Sequence, residues 1–292
     1  MIKGVYTALV TPFRDGQIDE AALVNLVNDQ VAAGVDGVVP VGSTGESPTL
    51  SPAEHLKVIE ITVKTVAKRC KVLAGTGANS TSEALQFTQE AANLGADACL
   101  MVAPYYNKPS QEGIFQHFST IASKVDIPIV LYSIPGRCGI EIAVPTIKRL
   151  AEAHKNIVAV KEAGGQSDRV SQICKAVTRP DFTVMCGDDA LTLSFMAVGA
   201  VGVISVATNI VPKPVCEMVN AFAKGNFTEA LSLHRKYYNL FKNLFVETNP
   251  VPIKEALAMV NKCTAEVRLP LVNLSEKSRQ IVADTLKEVG IL

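Results

Sequence analysis

Eight short apolar runs, recurring about every 30 residues, most constrain what this 292-residue chain can fold into. They are VYTALV, GVVPV, KVLAG, ACLMVA, IPIVLYS, IVAVK, FTVMCG and VGVISVA. Each is rich in Val, Ile or Leu without clean alternation, the pattern of strands buried on both faces. Between most of them lie stretches of helical periodicity, such as EAALVNLVNDQVAAG, PAEHLKVIEITVKTVAKR and SEALQFTQEAANLG. Eight strands alternating with helices is the rhythm of an α/β fold of the (β/α)8 TIM-barrel type, here over residues 1–224. A faint repeat supports it. VAAGVDGVV, AANLGADACLM and MAVGAVGVIS each end a helix on small residues, pass through Gly34, Gly95 or Gly199, and enter a strand.

After residue 224 the strand signals stop. NFTEALSLHRKYYNLFKNLF, PIKEALAMVNK and SEKSRQIVADTLKEVG read as helices, the last with Ser275 at its N-cap. Residues 225–292 are therefore expected to form a C-terminal helical extension packed on the barrel.

Hydrophobic content of 48% against 19% charged residues describes a soluble chain able to bury a large core. The 28 basic and 28 acidic residues cancel, which argues against a nucleic-acid partner while leaving room for a small anionic substrate. Seven cysteines, an odd number with no C-x-x-C spacing, argue against a disulfide framework or zinc site and for a reducing cytoplasm. The N-terminal apolar stretch is too short for a signal peptide, and no run of membrane-spanning length occurs.

In such a barrel the chemistry sits where the C-terminal ends of the strands meet. The first strand carries Thr7 and leads to Thr11; VGSTGES follows the second, PYYNKPS the fourth and IPGRCG the fifth. Tyr132 ends the fifth strand, Lys161 the sixth, CGDD follows the seventh, and the eighth ends near Ile204. GSTGES lacks the G-K-[ST] ending of a P-loop, and GTGANS lacks the third glycine of a dinucleotide fingerprint. Asp188 and Asp189 read as helix caps before metal ligands, and His55, His117, His154 and His234 fall on predicted helices or helix ends. No metal or cofactor is expected. What remains at the rim is a lysine, three tyrosines, hydroxyls, an arginine and backbone amides, a set suited to Schiff-base chemistry. A desolvated lysine amine can attack a ketone, and the resulting iminium is an electron sink. Tyrosine hydroxyls can carry protons, and the amides of Gly42-Ser43-Thr44-Gly45 make a seat for a carboxylate.

The motifs ALVTPF, GSTGES, AGTGANST, APYYNKPSQEGIFQHF, LYSIPGRCG, VAVKEAGG, CGDDALTL, GVISVATN and NPVPIKEAL, in this order, resemble the dihydrodipicolinate synthase family. That family belongs to the pyruvate-dependent class I aldolases and lyases, which include N-acetylneuraminate lyase. The resemblance implies condensation of pyruvate with L-aspartate 4-semialdehyde to 4-hydroxy-tetrahydrodipicolinate, on the route to diaminopimelate and lysine. It implies that Lys161 forms the Schiff base and that Tyr132 relays protons beside it. Ser43 would link Tyr132 to Tyr106, the latter supplied by a neighbouring subunit of a homotetramer built as a dimer of dimers. Thr44 would hold the pyruvate carboxylate and Arg137 the carboxylate of the semialdehyde, with main-chain carbonyls near Gly187 and Ile204 lining the pocket.

Two departures stand out. Ser43 replaces the usual threonine, and GSTGE is the form common among neuraminate lyases and other sister aldolases, which makes an N-acetylneuraminate lyase or a 2-keto-3-deoxy sugar-acid aldolase the alternative reading. PYYNKPSQEG and Arg137 in PGRCG are features of the synthases. A catalytically silent barrel binding through its C-terminal helices is a third reading, disfavoured because the lysine and tyrosines are all present. For feedback by lysine, the matching positions are Ser47, Pro48, His55, Asn79, Glu83 and Tyr105, with Pro52 in place of a side chain that stacks or hydrogen-bonds in sensitive enzymes.

Overall fold

The computed structural model describes every residue from Met1 to Leu292. All eight apolar runs form strands: Gly4–Ala8, Gly37–Val39, Lys71–Gly75, Ala98–Val102, Ile129–Ser133, Ile157–Glu162, Thr183–Cys186 and Gly202–Ser205. They close into a barrel in which each strand neighbours the next in sequence and the last returns to the first. Recorded pairings within it are parallel, among them Val102 opposite Tyr132, Tyr132 opposite Lys161, and Lys161 opposite Met185. Parallel strands buried on both faces need no polar side, which explains the uninterrupted apolar runs. The second strand, for instance, is buried throughout.

The chain divides into two compact units, Met1–Gly4 with Leu73–Ile204, and Val5–Val72 with Ser205–Leu292. In the first, helices Thr81–Asn93, Gln111–Ala122, Val144–Ala153 and Ser167–Ala176 alternate with strands. In the second, helices Glu20–Ala33 and Pro52–Val66 are joined by Pro212–Ala223, Phe227–Asn243, Val251–Met259 and Glu276–Glu288.

Helix ends follow local chemistry. Ser51 and Glu54 form a reciprocal capping box, Glu54 N–H donating to Ser51 Oγ at 3.3 Å and Ser51 N–H to Glu54 Oε2 at 2.8 Å. Ser275 caps the last helix by accepting from Ser278 N–H. Gly34, Gly95 and Gly199 all take positive φ (81°, 92° and 116°) where a helix gives way to a strand, so the repeat in the sequence is a repeated left-handed stop. A short antiparallel hairpin, Phe13–Arg14 with Gln17–Ile18, had no counterpart in the sequence reading.

Helix Val251–Met259 departs most from a surface pattern. Residues Val251 to Leu257 are all buried, Lys254 and Glu255 included. A helix apolar or neutralised all round belongs in a core, and the partners of Lys254 described below make that possible.

Candidate active site

Lys161 lies one residue before the end of the sixth strand, with only 6% of its surface exposed. The strand fixes its backbone, and the neighbouring fifth strand brings Tyr132 directly opposite. Lys161 Nζ sits 4.2 Å from the centroid of the buried Tyr132 ring, within cation–π range. Gly187 closes the other side. Its N–H donates to Glu162 O at 2.8 Å, and a Cβ there would stand 3.0 Å from Lys161 Cε and 2.7 Å from Ala163 Cβ. Glycine is required because the lysine stem passes across its backbone. Ile204, on the eighth strand, is buried.

Glu162, next to the lysine, faces the other way. It is fully buried, takes Arg169 Nε on Oε2 at 2.8 Å and Gly164 N–H on Oε1 at 2.7 Å. Burial pushes its carboxyl above the ordinary range, opposed by the Arg169 guanidinium. Arg169 also donates to Ile142 O and lies 3.4 Å from Glu141. This pair fixes the chain where it leaves the strand, one residue beyond Lys161.

Arg137 is exposed on a four-residue helical turn, Pro135–Cys138, that follows Tyr132. Tyr106 is 89% exposed, with φ at +72°. The structure therefore brings Lys161, Tyr132 and Gly187 together and leaves Arg137 and Tyr106 facing solvent.

In the second unit, GSTGES forms a compact turn. Gly45 N–H donates to Gly42 O at 3.1 Å and Glu46 N–H to Ser43 O at 3.2 Å, while Thr11 Oγ1 donates to Gly45 O at 2.7 Å. Val41 and Glu46 flank the turn with positive φ of 51° and 54°. The N–H groups of Ser43 and Thr44 are used by no other part of the chain, as in a backbone nest for an anion. The Thr44 side chain is buried and its Oγ1 accepts from Asn249 Nδ2 at 3.0 Å. Thr7 points the other way, donating to Gln30 on the helix layer at 2.6 Å, and serves the fold.

Beneath the turn lies a fully buried ion pair, Lys254 Nζ to Glu46 Oε1 at 2.5 Å, with both side chains 0% exposed. Lys254 also donates to Glu266 O at 2.6 Å and stands 4.1 Å from the Phe13 ring centroid. Glu46 Oε2 accepts Arg268 N–H at 3.1 Å. Desolvation lowers the Lys254 ammonium from its ordinary range, and Glu46 opposes the shift. Neither this pair nor Asn249 was assigned a role from the sequence. The visible signal was NPVPIKEAL, a lysine and a glutamate inside an otherwise apolar helix.

Of the feedback positions, Tyr105, Asn79 and Glu83 lie together in the first unit. Burial raises the Tyr105 hydroxyl, the Glu83 charge adds to the rise, and the Asn79 backbone opposes it. Ser47 and Pro48 form a single 3-10 turn ahead of the helix that carries His55. Asp188 caps a short turn by accepting Ala190 N–H at 2.9 Å, and all seven cysteines are free thiols.

A family model described as Dihydrodipicolinate synthetase family matches residues 1–289. The chain belongs to the dihydrodipicolinate synthetase family. It is 48% identical over all 292 residues, and over the full length of both chains, to the 4-hydroxy-tetrahydrodipicolinate synthase of Endomicrobium trichonymphae. Among solved structures of this family, that from Methylacidiphilum fumariolicum SolV superposes with a TM-score of 0.98 at 52% identity, covering 99% of this chain and 96% of the other. The family member from Cyanidioschyzon merolae, solved with lysine bound, gives 0.96 at 40% identity and covers 99% of each chain.

Proposed function

We propose that this chain condenses pyruvate with L-aspartate 4-semialdehyde through a Schiff base on Lys161, giving 4-hydroxy-tetrahydrodipicolinate for lysine and diaminopimelate biosynthesis. Family membership and full-length similarity to named synthases support the reaction. The observation that carries the mechanism is the buried Lys161 amine held against Tyr132 on adjacent strands.

Lys161 Nζ attacks the pyruvate ketone, and water leaves to give an iminium. Loss of a methyl proton produces an enamine, whose carbon attacks the aldehyde of the second substrate. The semialdehyde's amine then adds to the iminium carbon and displaces Lys161, closing the ring. Tyr132 passes the protons, with Ser43 as the next hydroxyl and Tyr106 as the last. Serine keeps the hydroxyl that the relay needs and lacks only the methyl of threonine. Thr44, with the nest amides, takes the pyruvate carboxylate; Arg137 takes that of the semialdehyde, and main-chain carbonyls near Gly187 and Ile204 line the pocket.

The high exposure of Tyr106 suits a side chain offered to a neighbouring subunit, and a cytoplasmic homotetramer is the assembly we propose. Residues 1–224 carry the chemistry and 225–292 support it. Ser47, Pro48, His55, Asn79, Glu83 and Tyr105 form the lysine feedback site in this reading. Product analysis with pyruvate and L-aspartate 4-semialdehyde tests the reaction. Formation of the cyclic product is the expected result; turnover only with N-acetylmannosamine or another sugar-derived aldehyde would assign a sister aldolase.

A further inference from the structure

We infer that Asn249 is a positioning residue that aims the Thr44 hydroxyl proton at the substrate carboxylate, an inference resting on Thr44 as the carboxylate-binding residue. A threonine hydroxyl has one proton and two lone pairs, whereas an ionised carboxylate only accepts. Thr44 Oγ1 accepts from Asn249 Nδ2 at 3.0 Å, and both side chains are buried. One lone pair is thereby occupied by an amide that carries its own protons. The Thr44 proton is turned away from Asn249 and left to donate to an incoming anion. The turn then offers three donors of one sense, this hydroxyl and the N–H groups of Ser43 and Thr44.

Asn249 is itself held in place. It stands two residues ahead of helix Val251–Met259, before the N-cap Pro250, and Lys254 of that helix is clamped to Glu46, two residues beyond Thr44. Arg268 grips the other oxygen of Glu46 and, through its guanidinium, Thr49 O at 3.0 Å and Glu54 at 2.6 Å. The carboxylate turn and Asn249 therefore sit on one buried ionic frame. Within the second unit, residues 249–268 set the polarity of a hydroxyl about 200 residues earlier in the chain.

The test is a double-mutant cycle of Asn249→Ala and Thr44→Val in the full-length enzyme. It is read as the pyruvate dependence of borohydride-trapped adduct and as KM and kcat, with melting curves on each variant. N249A is expected to raise the pyruvate concentration for half-saturation about tenfold while kcat changes less than about twofold. In the T44V background the same change is expected to add nothing. Asn249→Asp is expected to exceed N249A, because a carboxylate there would take the Thr44 proton for itself. Where N249A melts too low to assay, Asn249→Ser carries the cycle. An equal fold-change for N249A with and without the Thr44 hydroxyl would overturn the inference alone. An unchanged pyruvate dependence in T44V would instead remove Thr44 from the carboxylate site, and the role of Asn249 with it.

Discussion

Tyr132 and Lys161 stand directly opposite each other on adjacent parallel strands, with the lysine nitrogen 4.2 Å from the centre of the tyrosine ring. Strand pairing sets this relationship, so removing only the tyrosine hydroxyl should leave it intact. Tyr132→Phe is expected to lower kcat by about a hundredfold to ten-thousandfold, the range for loss of a proton-transfer group. The melting temperature and the position of Lys161 should hardly change. Steady-state kinetics beside a melting curve checks this, and unaltered turnover would remove Tyr132 from the relay.

Gly187→Ala places a methyl 3.0 Å from Lys161 Cε, 2.7 Å from Ala163 Cβ and 3.1 Å from Glu162 O. Two of these neighbours cannot swing away. Overpacking of this kind costs about 1–3 kcal/mol, and relief comes partly from pushing the lysine stem. The expected result is a lower melting temperature together with slower adduct formation at Lys161. Destabilisation with full-rate adduct formation would show that the lysine does not depend on the close approach.

How much of this could be read in the sequence differs between the two units. The barrel was legible because strands buried on both faces write themselves as uninterrupted apolar runs, and Lys161 stood out at the end of one. Arg169, the partner of the neighbouring Glu162, lies only seven residues beyond it and is still invisible, since a helical arginine ordinarily faces water. Asn249 and Thr44 are 205 residues apart, and Lys254 and Glu46 are 208 apart. No local period records a pairing at that range; only closure of the fold brings the partners together. Lys254 is instructive: VPIKEALAM sets it in an otherwise apolar helix, but nothing in that stretch names Glu46, the partner that allows it to be wholly buried.

The Glu162–Arg169 pair gives a prediction of its own. Arg169→Met leaves a buried carboxylate without its guanidinium, which costs about 3–5 kcal/mol in comparable pairs. Adding Glu162→Gln should recover a substantial part of that loss. Denaturant unfolding of the two variants decides it. A single variant as stable as the parent would mean that the pair does not hold the strand end.

His117 supplies a pH dependence. Burial lowers its imidazole from 6.5 to about 4, while Nδ1 is bound by Thr81 Oγ1 at 2.9 Å. Between those values the unfolded chain binds one more proton than the folded chain, so the contribution is present in full above 6.5 and lost as pH falls towards 4. His117→Gln is expected to flatten the fall in stability across this window. A parent and variant with the same pH profile would assign the acid sensitivity elsewhere.

Schiff-base formation on Lys161 is tested most directly by borohydride reduction in the presence of pyruvate, followed by intact-mass and peptide analysis. The expected result is one reduced pyruvate adduct per chain, on the peptide containing Lys161 and absent from Lys161→Ala. No adduct, or an adduct on any other lysine, would contradict it.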